Sequence, residues 1–216
     1  MYGPSFQTVG SSDSSALLKE MDFTNGETSD ILLLIDPATA EYDELIYLNG
    51  TDAIDLVGEG AVAGWYKDMG DDVFVYRGND KVSLGCAFWT FPATTAVNIT
   101  DAGEVSGTFS RTLPALAYSA FANPFPCATL LKTFTFEGGE TSDIMLLIDK
   151  STGAYTELIY LNAADAVDLV GEDAIAGWYF DEGDDVFTYK GNETFEAGQG
   201  CWVFPATQAV TVTATL

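Results

Sequence analysis

Two short stretches concentrate carboxylates. Asp68-Met69-Gly70-Asp71-Asp72 sets three aspartates around a glycine, and the pattern returns as Asp181-Glu182-Gly183-Asp184-Asp185. Carboxylates crowded in this way are hard oxygen donors, and calcium takes about six to eight such ligands. Asp68, Asp71, Asp72, Asp181, Asp184 and Asp185 are therefore the candidate calcium ligands. The alternating aspartates and distal glutamate of the helix-flanked calcium loop are missing. The competing reading is a solvated β-turn, in which Asp and Gly adopt backbone angles that other residues resist. Asp30, Asp36, Asp143 and Asp149 flank a strand and read as turn caps and strand-end charges, or as further ligands to the same sites.

Aromatic residues form the second constellation. Trp65, Tyr66 and Trp89, with Trp178, Tyr179 and Trp202, could build a flat platform on which sugars stack. Adjacent residues of an extended strand face opposite sides, so one member of each Trp-Tyr pair is expected to point outward. Trp65, Tyr66, Trp178 and Tyr179 are thus the candidate ligand-binding residues. The alternative is that the same rings fill the core, where large aromatics dominate small β domains.

Catalytic readings find little to stand on. The chain has no histidine, which removes the commonest general base and the commonest zinc ligand. A Ser or Cys nucleophile needs an adjacent base, and six lysines offer none in a recognisable motif. With 33 acids some close carboxylate pair is inevitable, so a pair alone does not point to glycoside hydrolysis. No phosphate-binding glycine loop and no Cys-x-x-Cys pair occurs. A non-enzyme is expected, requiring no cofactor, with calcium the one candidate ion.

The three cysteines are too few for a disulfide framework. Cys127 and Cys201 both lie in the second half of the chain, and the equivalent first-half positions hold Ser14 and Phe88. Joint gain of two cysteines is what a new disulfide requires, which makes them the candidate pair and leaves Cys86 over. Three buried thiols are the alternative.

The elements that must carry these residues are written twice. Residues 17–100 align with 130–213 at a constant offset of 113, and 52 of the 84 positions are identical. Gly26-Glu27-Thr28-Ser29-Asp30-Ile31 recurs as Gly139-Glu140-Thr141-Ser142-Asp143-Ile144, and Gly64-Trp65-Tyr66 as Gly177-Trp178-Tyr179. Such self-similarity marks a tandem duplication. Within a unit, Ile31 to Asp36 and Tyr42 to Leu48 read as a hairpin with a five-residue connection, and Ala61–Tyr66, Val73–Tyr76, Gly85–Phe91 and Ala96–Thr100 as further strands between Gly, Asp and Asn clusters. Asp52 to Val57 fits a helical turn or a bent strand equally well. The expected fold class is all-β, in two closely similar sandwich or small-barrel domains over residues 1–102 and 103–216. Gly103 to Leu113 alternates in strand fashion, and its first-unit counterpart would precede Met1, so the first domain is expected to lack one strand.

Composition narrows the partners. The formal net charge is -25, which repels nucleic acid and anionic membranes, while 47% hydrophobic residues exclude a disordered acidic tail. No run approaches the roughly 20 apolar residues that span a bilayer, so membrane insertion is not expected. The first residues carry no signal-peptide pattern, and a leader removed ahead of the numbering is the expected explanation.

Ala117-Tyr118-Ser119-Ala120-Phe121-Ala122-Asn123-Pro124-Phe125-Pro126 resembles the "GWNLIANPFP" strand that opens the unit in a group of secreted and surface bacterial β-rich repeat proteins of unassigned function. Ala197-Gly198-Gln199-Gly200-Cys201-Trp202-Val203-Phe204 is similar to their closing "GxGFW" strand. The likeness covers the chain from about residue 103 onward. It departs at Cys201, where the pattern has an aromatic, and in the first unit at Ser11-Ser12-Asp13. The resemblance implies export and a β fold and brings no active site. An extracellular or cell-surface structural or adhesive protein is therefore expected, binding itself, another surface protein or a glycan. A calcium-assisted carbohydrate-binding module is the alternative.

Overall fold

A computed structural model describes residues 5–8, 15–36, 39, 41–83, 87–95, 98–100, 107–149 and 152–216. The first half runs β1 (Ser5–Thr8), β2 (Ser15–Leu17), β3 (Asp22–Thr24), β4 (Ile31–Ile35), β5 (Tyr42–Leu48), α1 (Gly50–Val57), β6 (Gly64–Asp68), β7 (Phe74–Tyr76), β8 (Lys81–Ser83), β9 (Ala87–Phe91) and β10 (Asn98–Thr100). The second half runs β11 (Thr108–Leu113), β12 (Ser119–Ala122), β13 (Thr129–Leu130), β14 (Thr135–Glu137), β15 (Ile144–Ile148), β16 (Tyr155–Leu161), α2 (Ala163–Leu169), β17 (Gly177–Asp181), β18 (Phe187–Tyr189), β19 (Thr194–Phe195), β20 (Gly200–Phe204) and β21 (Val210–Thr215). The fold is all-β, with these two short helices and two 3-10 turns among the described residues. No helix among the described residues is long and apolar enough to cross a membrane.

Each half contributes one six-stranded antiparallel sheet. The orders are β1-β9-β4-β5-β6-β7 and β12-β20-β15-β16-β17-β18, so the second repeats the first strand for strand. Among the described residues no sheet draws strands from both halves. The smaller sheets differ. In the second half β21 lies between β11 and β14, whereas β10 pairs with β3 alone among the described residues.

The period of two along a strand explains why apolar runs such as Ile144-Met145-Leu146-Leu147-Ile148 are buried from both sides. Met145, Leu158, Trp178, Cys201 and Val203 turn to one face and meet Phe109, Leu113, Phe136, Val210 and Val212 of the three-stranded sheet. That is a two-layer sandwich, closed by Phe121, Phe134 and Phe195. The first half builds the same core from Leu18, Met21, Leu32, Leu45, Trp65, Val82 and Phe88. Four positions apolar in both halves are filled differently. Met21, Leu32, Val82 and Phe88 are replaced by Phe134, Met145, Phe195 and Cys201, and all eight side chains are buried.

The opposite face of each large sheet has two coverings. One part lies under the helix, where Leu48, Ala53 and Tyr66 cluster in the first half and Leu161, Ala166 and Tyr179 in the second. The other part meets the second sheet. Ile35 and Ile148 pack there with Ala120 and Ala122, and Trp89 and Trp202 lie against this cluster.

The helix resolves the ambiguity over Asp52 to Val57. Asn49 accepts hydrogen bonds from the backbone N–H of Thr51 (2.9 Å) and Asp52 (3.0 Å), and Asn162 does the same for Ala164 and Asp165. Those donors have no partner within the helix, and an asparagine at the cap supplies one.

Candidate functional site

The aspartate stretches are turns. Asp68 Oδ1 accepts from Gly70 N at 2.8 Å, and Asp181 Oδ1 accepts from Gly183 N at 2.8 Å. Asp71 and Asp72 have φ of 53° and 60°, and Asp184 and Asp185 have 51° and 61°. Consecutive left-handed residues reverse the chain between β6 and β7 and between β17 and β18, and aspartate is among the few side chains that tolerate the angle. No group of three or more acidic, cysteine or histidine side chains is placed to share a metal ion among the described residues. Asp68, Asp71 and Asp72, and likewise Asp181, Asp184 and Asp185, the residues expected as calcium ligands, therefore lie in the turn that joins two strands.

The Trp-Tyr pairs are interior residues, which corrects the expectation of a sugar platform at Trp65, Tyr66, Trp178 and Tyr179. Trp65 is 3% exposed, with the rings of Phe23 and Tyr47 set edge-on to it at 5.1 and 5.3 Å. Trp178 is also 3% exposed, between Phe136 at 5.1 Å and Tyr160 at 5.2 Å. The strand does send Tyr66 and Tyr179 to the other face, as alternation requires, but that face lies beneath the helix. Each phenol donates to a backbone carbonyl, Tyr66 to Val62 at 2.6 Å and Tyr179 to Ile175 at 2.7 Å.

Cys127 and Cys201 are free thiols, not a disulfide. Cys201 points from β20 into the phenylalanine core, while Cys127 is exposed on the loop before β13. Burial pushes the Cys201 thiol pKa far up, with the nearby Arg111 charge opposing it weakly. Cys86 lies outside the described residues.

Asp30 and Asp143, in contrast, are turn caps. Asp143 Oδ2 accepts from Glu140 N at 3.0 Å and Oδ1 from Ala206 N at 2.7 Å. Asp30 bonds Glu27 N at 2.8 Å and Ala93 N at 2.7 Å.

The second Trp of each half has a different fate. Where the two large sheets meet, Leu33, Tyr42, Trp89, Tyr118, Leu146 and Trp202 line an open groove of about 450 Å³, with Ile35 at its base. Equivalent residues of the two halves line it together, Leu33 with Leu146 and Trp89 with Trp202. Tyr42 is 63% exposed and Tyr118 42% exposed, the latter set 4.9 Å from the ring of Phe204. Neither tyrosine was singled out by the sequence. The available signal was position: Tyr42 opens its strand, where side chains escape the covered middle of the sheet.

Beyond Tyr42 the groove continues into a hollow of about 480 Å³, and Ile35 and Tyr42 line both. Its walls carry the carboxylates of Asp36, Glu41, Asp43 and Asp80 against Arg77 and Lys81. Asp43 accepts from Lys67 Nζ and from Arg77 Nη2 (2.9 Å), and Arg77 Nε donates to Asp80 at 2.6 Å. The hydrogen bond from Lys67, followed by that from Arg77, holds the Asp43 carboxyl below the usual carboxylate range. This network belongs to the first half only. Its equivalents are Thr156, Phe180, Lys190 and Glu193, where Lys190 pairs with Glu193 at 2.9 Å and stands 5.9 Å from the Phe180 ring.

An apolar floor bordered by charge is a geometry for holding a ligand. No nucleophile with an adjacent base lies along the walls of the groove or the hollow. No protein-family model matches the chain, and comparison with curated proteins and with solved structures finds no match.

Proposed function

We propose that the chain is a non-enzymatic structural or adhesive protein of the exported or cell-surface kind, built of two similar β units over residues 1–102 and 103–216. It works by contact between chains and needs no cofactor. One observation carries this reading: among the described residues β10 has β3 on one side and no strand on the other, while its equivalent β21 is paired by both β11 and β14. A strand edge of this kind presents backbone N–H and C=O groups that another chain can pair. The geometry lends no support to calcium-assisted sugar binding through Asp184 and Trp178, since the first sits in a turn and the second in a core.

Charge sets the conditions. Copies carrying a net charge of -25 repel one another, so association is expected to strengthen as salt screens them. Light scattering between about 0.05 and 0.5 M sodium chloride tests this, since the Debye length falls severalfold over that range. The expected result is a mass that grows with salt and does not respond to chelator or millimolar calcium. A monomer at every salt concentration overturns self-association. Growth only with calcium returns the aspartate turns to the mechanism.

A further inference from the structure

We infer that the open edge of β10 accepts an extended strand of a partner protein, and that this strand has the pattern of β11. On one face it carries an aromatic and a leucine-like residue four positions apart with a basic residue between them, and on the other small hydroxyl residues. The inference rests on the adhesive reading and names the chemistry of the strand. Register is the first observation. β10 meets β3 through Asn98 with Thr24, Ile99 with Phe23 and Thr100 with Asp22. β21 meets β14 through the same three pairs, Thr211 with Glu137, Val212 with Phe136 and Thr213 with Thr135. On this side the two small sheets agree residue for residue. On the other side β21 holds β11 over six pairs, from Thr108 with Thr215 to Leu113 with Val210, whereas β10 has no strand there among the described residues. The second half is thus a template for the strand that fits beside β10.

The second observation is what β11 contributes. Phe109 and Leu113 are buried in the core of the second half, and the Phe109 ring lies 5.5 Å from that of Phe121. Arg111 shares this inner face and donates from Nη1 to the carbonyl of Ala120 at 2.8 Å. Thr108, Ser110 and Thr112 are exposed on the opposite face. Among the described residues the core of the first half draws no side chain from a strand beside β10. Backbone pairing gives an added strand its hold, and alternate side chains give it selectivity. The third observation concerns the source. A second copy could lend its β11 only by baring its own β21, which exchanges one open edge for another. A chain at -25 also repels a second copy and attracts a strand that carries a cation. The strand therefore comes from a different protein.

The test uses the full chain and a fluorescein-labelled peptide with the sequence of residues 107–114, Gly-Thr-Phe-Ser-Arg-Thr-Leu-Pro, read by anisotropy. Substitutions are made in the peptide, numbered as in the chain, so the fold of the chain is untouched. Expected are saturable binding of the parent peptide and a loss of about tenfold or more when it carries Phe109→Thr with Leu113→Thr, since two side chains that would be buried are gone. A smaller loss is expected for the Arg111→Ser peptide, together with a flatter dependence on salt. Hydrogen exchange read by mass spectrometry is expected to slow severalfold over residues 98–100 and to stay unchanged over residues 108–113 and 210–215.

Equal binding of the parent and the doubly substituted peptide overturns the proposal, because attraction to a negative surface would then account for everything. Binding without slowed exchange over residues 98–100 removes the site. Faster exchange over residues 108–113 overturns it as well, since the peptide would then have displaced β11 from β21 instead of filling the open edge. Light scattering on the same samples separates the two proposals. Salt-driven assembly without peptide binding sinks the added strand and leaves the adhesive reading in place. Slowed exchange over residues 98–100 in a chain that stays monomeric supports the added strand and sinks self-association.

Discussion

Asp143 joins two loops distant in sequence. It is 2% exposed, and its carboxylate receives one N–H from the loop before β15 and another from the residue after Pro205. Removing the acceptor leaves both partly buried donors without it. Asp143→Ala is expected to cost about 2–4 kcal/mol, and Asp143→Asn less, since the amide oxygen still accepts one of the two bonds. Urea unfolding of the three proteins checks the order, and an asparagine variant as stable as the parent would show that the second bond is worth nothing.

The tyrosines report from the same scale. Burial raises the phenol pKa of Tyr76, Tyr160, Tyr179 and Tyr189 above its ordinary value. In the unfolded chain these groups lose their protons first, so above about pH 10 the folded state binds more protons. Stability is fully present below that value and falls as pH rises through it. Following the phenolate absorbance alongside circular dichroism is expected to show part of the ten tyrosines ionising only when the sheets unfold. Ionisation of all ten with the dichroism intact would contradict the burial argument.

At the scale of elements, α2 depends on the residue that caps it. Asn162 supplies the bonds to Ala164 N (2.9 Å) and Asp165 N (3.0 Å), and its own amide N–H reaches Asp165 Oδ2 at 2.7 Å. Asn162→Ala is expected to destabilise by about 1–2 kcal/mol. Because α2 covers Tyr179, quickened hydrogen exchange in β17 is expected to accompany it. Equal exchange in the two proteins would mean that the helix is held by its packing alone.

These elements also show what the sequence makes legible. The hairpin of β4 and β5 is readable to within one residue, because an apolar run followed by turn residues leaves little choice of ends. The helix between β5 and β6 is not, since six residues cannot establish a period. The Trp-Tyr pairs show a deeper limit. Alternation correctly sends Trp65 and Tyr66 to opposite faces, but whether the second face meets water depends on α1, and that is tertiary information. Trp89 and Trp202 look no different in sequence from Trp65 and Trp178. Only the meeting of the two sheets leaves the first pair beside a groove.

For the whole molecule, charge is the governing quantity. With 33 acids against 8 bases, and only a few ion pairs joining them among the described residues, self-repulsion strains the folded state. Raising sodium chloride from about 0.02 to 0.5 M is expected to raise the melting temperature by several degrees, as screening shortens the reach of that repulsion. A melting temperature independent of salt would mean that the acids are too dispersed to matter.

The differing core fillings have a consequence for how such a chain reaches its native state. Neighbouring near-copies on one polypeptide invite strand exchange during refolding, when a segment of one half completes the sheet of the other. Here volume opposes the error. β9 carried into the second half would bring Phe88 among Phe134 and Phe195, where there is no room. β20 carried into the first would leave Cys201 beside Val82 and Met21, with a void in place of a ring. Each hybrid is penalised from its own side, one by collision and the other by emptiness. Four substituted side chains thus act as a sorting code, by which each half selects its own strands from two sets of almost the same spelling.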